Sequence, residues 1–167
     1  MTAPYKDPII EAFITLIKSY RKDIKIYYNG IAGKIPASLA PAIMIGIEKD
    51  EVKEEDPARD EHFVSMVLVY IADMKQNFED TPTIIAGLNN VMQTLIGRDA
   101  NYSLLKNSIL NIIRSNPVIN SSIGLRADVG AVTVATPTEV AANRLQGYWS
   151  AEGTIRFTAH LYQTRNP

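Results

Sequence analysis

Few residues of this chain are of a type and spacing that could do chemistry. They are two histidines, a carboxylate run from Glu48 to Glu61, and the segment Gly30-Ile31-Ala32-Gly33-Lys34-Ile35. His62 follows Asp60-Glu61, which would make one corner of a carboxylate-rich metal site. The i, i+4 histidine pair of a helical zinc site is absent, however, and a solvated loop end is the plainer reading. His160 lies far away in sequence, on the polar side of a terminal strand, where exposure is the default. The glycine segment departs from a phosphate-binding loop twice. Two residues separate its glycines where four are needed, and Ile35 stands where a Ser or Thr would reach magnesium. The acids could supply paired carboxylates for glycoside cleavage or ligands for calcium. A charged hairpin tip lacks the desolvation that separates two carboxyl pKa values, and the calcium-loop spacing is missing. Ser121, Ser122 and Ser150 lie in no nucleophile-elbow pattern. No enzyme activity, cofactor or metal is expected.

The elements that hold these residues are readable from periodicity. Ile9, Ile10, Phe13, Ile14 and Ile17 recur at spacings of three and four, which predicts a helix from about Asp7 to Lys22. Pro8 suits its first turn, and Lys18, Arg21 and Lys22 suit its last. A charged helix end is the reading for these cations, which Asp23 interrupts. A short strand over Ile24–Tyr28 ends at Asn29-Gly30, and the stretch to Pro41 reads as a loop. Ala42–Ile47 and Phe63–Ala72 read as strands of one hairpin, with the charged segment at about 48–61 as its tip and Pro57 barring regular pairing there.

The second hairpin strand is apolar at nearly every position. Phe63, Val67, Val69 and Ile71 fall on one side and Val64, Met66, Leu68 and Tyr70 on the other, so both faces need cover from the chain or a neighbour. A second helix is predicted from Asp80-Thr81-Pro82 to Gly97, its stripe formed by Ile84, Leu88, Val91, Met92, Leu95 and Ile96. A third runs from about Ser103 to Ser115. Short strands follow at Ala131–Ala135 and Arg144–Trp149. The last strand, Thr154–Tyr162, turns Ile155, Phe157, Ala159 and Leu161 inward. This order predicts an α+β fold, a mainly antiparallel sheet flanked by an N-terminal helix and a central helix pair, in one domain over 1–167.

Composition narrows the partners. A chain of 167 residues with no cysteine can build a core without disulfides. The N-terminal residues lack the pattern of a signal peptide, and no apolar run approaches the ~20 residues that cross a bilayer; a soluble, unexported protein with no membrane partner is expected. A net charge of −1 disfavours bulk electrostatic DNA binding. Eight acids and three bases fall between Glu48 and Glu61, whereas seven bases and four acids follow from Arg98 onward. This asymmetry is either ordinary solvated charge or complementarity between neighbouring copies.

The layout of a basic-ended N-terminal helix, a short strand, a hairpin with a long charged tip, helices, and final strands closing on Ile155-Arg156-Phe157-Thr158-Ala159-His160-Leu161-Tyr162 resembles the tail terminator and related neck proteins of long-tailed bacteriophages, the lambda-like tail terminator group in particular. The resemblance implies a virion protein without catalytic residues, assembled in the host cytoplasm. It would form a ring, typically a hexamer, that caps the tail tube, meets a neck or head-completion protein, and lets DNA pass without specific binding. Under it, Glu51, Glu54, Glu55 and Asp56 at the tip, with Arg126, Arg144 and Arg156, are the candidate inter-subunit or tube contacts. The tandem helices and the stretch Val118–Gly130 depart from the compact family pattern. A head-closure, adaptor or tail-completion ring is the neighbouring alternative. A cytoplasmic dimeric binding module is the alternative of another class.

Overall fold

The computed structural model describes residues 5–72, 81–136, 145–146 and 150–164. The fold is α+β. Helix α1 (Pro8–Tyr20) leads to β1 (Ile26–Asn29), β2 (Ile35–Pro36), β3 (Ala42–Asp56) and β4 (Arg59–Ile71). Then come α2 (Thr81–Ile96), α3 (Ile109–Ser115), β5 (Val118–Asn120), β6 (Leu125–Ala135), β7 (Leu145–Gln146) and β8 (Glu152–Thr164). Six strands form one sheet in the order β1-β3-β4-β8-β6-β5, and β2 pairs with β7 in a small parallel ladder. Every neighbour in the main sheet is antiparallel except β1 beside β3.

Helix α1 forms where its stripe predicts, and Ile9, Ile10, Phe13, Ile14 and Ile17 are its buried residues. Asp7 caps it, its carboxylate accepting hydrogen bonds from the Ile9 and Ile10 amides at 2.9 and 3.2 Å. Asn29, at the end of β1, secures the same helix start. Its side-chain amide donates to the Asp7 carbonyl and to Glu11 Oε1. Gly30 follows at φ 118, a conformation that favours glycine.

Strand β4 is covered on both faces, as its apolar run requires. Val64, Met66, Leu68 and Tyr70 join the cluster built by α1, α2, α3, Ile155, Phe157 and Ala159. Phe13 and Phe157 meet there at 5.0 Å between ring centroids. Val67, Val69 and Ile71 pack on the opposite face beneath Ile35 and Ala40. This second cover comes from the chain itself. A parallel neighbour needs a crossover, and residues 30–41, which join β1 to β3, cross over that face and carry Ile35 and Ala40. The stretch that reads as a plain loop is therefore a lid over the sheet, with β2 and a short 3-10 turn within it.

Three expectations are corrected. The charged segment is no irregular tip: β3 and β4 stay paired out to Asp56 opposite Arg59, with register shifts only between Ile47 and Lys49 and between Glu54 and Asp56. Pro57 sits in the connecting turn, where its missing N–H costs no ladder bond. The third helix begins at Ile109 and not near Ser103. Residues 98–108 instead form a tight loop in which Asp99 accepts from the amides of Asn101 and Ser103, the local bonding that competes with a helix. Met92 is 46% exposed and lies off the buried stripe of α2, where Val91 and Leu95 are fully buried. Leu145–Gln146 is the described part of the strand expected over 144–149, and the Asp80 cap lies outside the described residues.

Candidate assembly surface

Beyond Ile47 the β3–β4 hairpin leaves the core as an arm. Residues 48–55 and 57–59 are exposed, so neither face of β3 is covered there. At about 3.3 Å per residue, the nine steps from Ile47 to Asp56 carry the arm roughly 30 Å. It is not a bare two-stranded hairpin, because β8 pairs with β4 along its whole length to Arg59 opposite Thr164. The outer edge of β3 is different. Strand β1 occupies it only from Ala42 to Ile45, and from Gly46 to Asp56 no strand is paired to it among the described residues. Bulges fall at Glu48 and Glu55, where the register with β4 shifts. Bulges and dense charge both discourage indiscriminate pairing of an open edge.

Side chains on the arm are ordered by their neighbours. Lys49 pairs with Glu51, and this bond holds the Glu51 carboxyl below its ordinary value. Lys53 places its ammonium 4.4 Å from the centre of the Phe63 ring. Phe63 in turn meets the His160 ring edge-on at 4.6 Å. His160 Nδ1 lies 3.4 Å from Glu61 Oε1, and Nε2 lies 3.9 Å from Asp128. Tyr162 is raised above its ordinary pKa by its hydrogen bond to Glu61 and by the charge of Glu61 and Glu55.

His62 is not at a solvated loop end. It sits within β4, 15% exposed, with Nδ1 3.1 Å from the Asp50 carboxylate. His160 is 25% exposed, less than an outward strand position suggests. The two histidines belong to adjacent cross-strand pairs (His62 opposite Leu161, Phe63 opposite His160) and so lie on opposite faces of the arm. No group of three or more His, Cys, Asp or Glu among the described residues could hold a metal ion.

The candidate contact residues are distributed as follows. Glu51, Glu54 and Glu55 are exposed along β3. Arg126 lies opposite His160 across β6 and β8. Arg156 donates from Nε to Glu48 of the same chain at 3.1 Å. That bond already joins the acidic segment to the C-terminal strand within one copy. The Asp56 side chain and all of Arg144 lie outside the described residues.

The feature that sequence reading passed over is a cleft of about 540 Å³ between the end of α1, α2 and the 105–108 loop, lined by Arg21, Asp23, Asn90, Gln93, Thr94 and Ser108 among others. Arg21 is only 11% exposed. Its guanidinium grips Asp23 through Nε and Nη2 at 2.8 and 2.5 Å and reaches the Asn107 carbonyl at 3.0 Å. The guanidinium hydrogen bond holds Asp23 below its ordinary pKa. Tyr27 donates to the Arg21 carbonyl at 2.8 Å and, through burial and the nearby Asp23 charge, is pushed up to about 12. The cation that reads as a solvated helix end is therefore a clamp between α1 and the 98–108 loop. Among the described residues, Asp23 is the carboxylate that lines the cleft, and the clamp engages it. No described helix is long and apolar enough to cross a membrane. Comparison with protein-family models and with curated proteins finds no match for this chain.

Proposed function

We propose that this protein is a ring-forming structural subunit of a bacteriophage neck, a tail terminator that caps the tail tube and joins it to the head. One observation carries the reading. The arm orders about twenty residues while burying little apolar surface on β3, and ordering costs roughly 1–2 kcal/mol per residue. Contacts from another molecule are the natural compensation for an element of that kind. The α+β core and the resemblance in layout support the same reading. The partners would be further copies of the chain, the tail-tube protein and a neck or head-completion protein, with DNA passing through the ring without specific binding. The working location would be the virion.

The test is native mass and negative-stain imaging of the purified protein, alone and with tail-tube protein. Rings of about six copies, or discs on tube ends, are expected. Replacing Glu51, Glu54, Glu55 and Asp56 together by serine should weaken assembly and leave the monomer folded. A stable monomer or dimer indifferent to tubes would overturn the terminator reading.

A further inference from the structure

We propose that the cleft between the end of α1, α2 and the 105–108 loop is a binding site for a carboxylate-bearing ligand. At about 540 Å³ it has the size of a small-molecule site. Its lining is chemically one-sided. Among the described residues, Leu105 is the apolar member and the others are polar or charged.

Arg21 holds the wall of the cleft in place. A guanidinium has five N–H groups. Nε and Nη2 grip the Asp23 carboxylate, Nη2 also reaches Thr94 Oγ1 at 3.4 Å, and Nη1 donates to the Asn107 carbonyl. One N–H remains, so the planar fork has no face left for a second anion. Asn90 is fixed as well. Tyr70, 2% exposed, donates to its Oδ1 at 2.7 Å. The carbonyl half of that amide is taken and its NH2 is left to donate.

Three further groups of the lining have no hydrogen bond or ion pair among the described residues. They are the Gln93 amide, the Asn107 side-chain amide and the Lys106 ammonium. Scattered over a surface, such groups would simply face water. Gathered on one cleft, they offer a positive charge and several amide donors to one ligand. The lining carries Arg21 and Lys106 against Asp23, a net charge of +1. A carboxylate matches that single charge and accepts at both oxygens. A phosphate carries about two charges and is best met by a guanidinium fork, which Asp23 already holds. A neutral ligand would leave Lys106 unused. The amides add a preference for a peptide-like group beside the carboxylate. A free acylated amino acid and a Glu side chain within a protein both supply that chemistry. The site is complete within one copy, so it stands independently of ring formation.

The experiment titrates N-acetylglycine into the ¹⁵N-labelled protein and follows the side-chain NH2 signals of Asn90, Gln93 and Asn107 by NMR. Saturable shifts with millimolar affinity are expected. The uncharged analogue N-acetylglycinamide should bind about tenfold more weakly, the worth of one charge-assisted hydrogen bond. Lys106→Gln, a change at an exposed loop position, should weaken N-acetylglycine by a similar factor. Lys49→Gln on the arm removes the same charge from the protein and should leave the affinity unchanged. The tripeptide acetyl-Ala-Glu-Ala-amide separates the two sources. Tighter binding of the tripeptide than of N-acetylglycine assigns the cleft to a protein side chain, and the reverse order assigns it to a free acid. Absence of saturable shifts, equal affinity for the uncharged analogue, or an affinity untouched by Lys106→Gln would overturn the site.

Discussion

Gly153 tests how α2 is seated on the sheet. It lies on β8, and a Cβ built there would stand 2.6 Å from Leu95 Cδ1, 2.7 Å from Val91 Cγ1 and 3.0 Å from the Ala135 carbonyl oxygen. Both side chains belong to the fully buried stripe of α2. Neither has open space to retreat into, and Val91 is stiff at χ1. Overpacking of this kind costs about 1–3 kcal/mol. The stiffer unfolded chain of an alanine variant returns about 0.4–1 kcal/mol. Gly153→Ala should therefore destabilise the fold by about 1–2 kcal/mol, lowering Tm by about 3–6 °C for a domain of this size. Urea unfolding should show the midpoint moving at constant slope. In a Leu95→Ala background, where the nearest methyl is gone, the same substitution should cost less, with a coupling of about 1 kcal/mol. Gly33→Ala is the control. Nothing lies within 4 Å of its Cβ position, so that variant should be stabilised by about 0.4–1 kcal/mol. Gly153→Ala protein as stable as the parent, with no coupling to Leu95, would refute the packing of α2 on β8.

Other outcomes follow from single contacts. Asp7→Ala removes the acceptor for two helix amides and should cost about 1 kcal/mol, read by thermal unfolding with a loss confined to α1 in hydrogen exchange. Tyr70→Phe deletes the 2.7 Å hydrogen bond from a 2% exposed ring to Asn90. About 0.5–1.5 kcal/mol should be lost by urea titration. Asp23 has a folded pKa below its ordinary 3.8, so its contribution is complete above that value and is lost as pH falls through the folded one. Asp23→Asn should therefore destabilise the protein at pH 7 and shrink the difference from the parent steadily below about pH 4.

Much of this fold was legible because single faces carried the signal. The α1 stripe, the two-sided apolar run of β4 and the clean alternation of Ile155, Phe157 and Ala159 each reported a burial that the structure contains. The arm was illegible for the opposite reason. With no face of β3 buried beyond Ile47, Glu48 to Glu55 had no alternation to display, and a strand there looked like a loop. The parallel placement of β1 was hidden as well. Strand pattern gives burial but not direction, and residues 30–41 betray their crossover only through Ile35 and Ala40, which a loop reading ignores. In the candidate site, charge type was readable from composition, but partnership was not. Nothing local in the sequence brings Arg156 to Glu48 or Arg21 to Asn107, which are 108 and 86 positions apart.

The thirteen pairs between β4 and β8 give the arm a mechanical character. Ladder bonds run perpendicular to antiparallel strands, so a pull on the Pro57-Ala58 turn along the arm loads the whole ladder in shear. The bonds would then have to fail together, whereas a sideways pull would peel β3 from its open edge one bond at a time. The arm is stiff under tension along its axis and weak under a lateral load. A force probe attached at Ala58 would register that anisotropy directly.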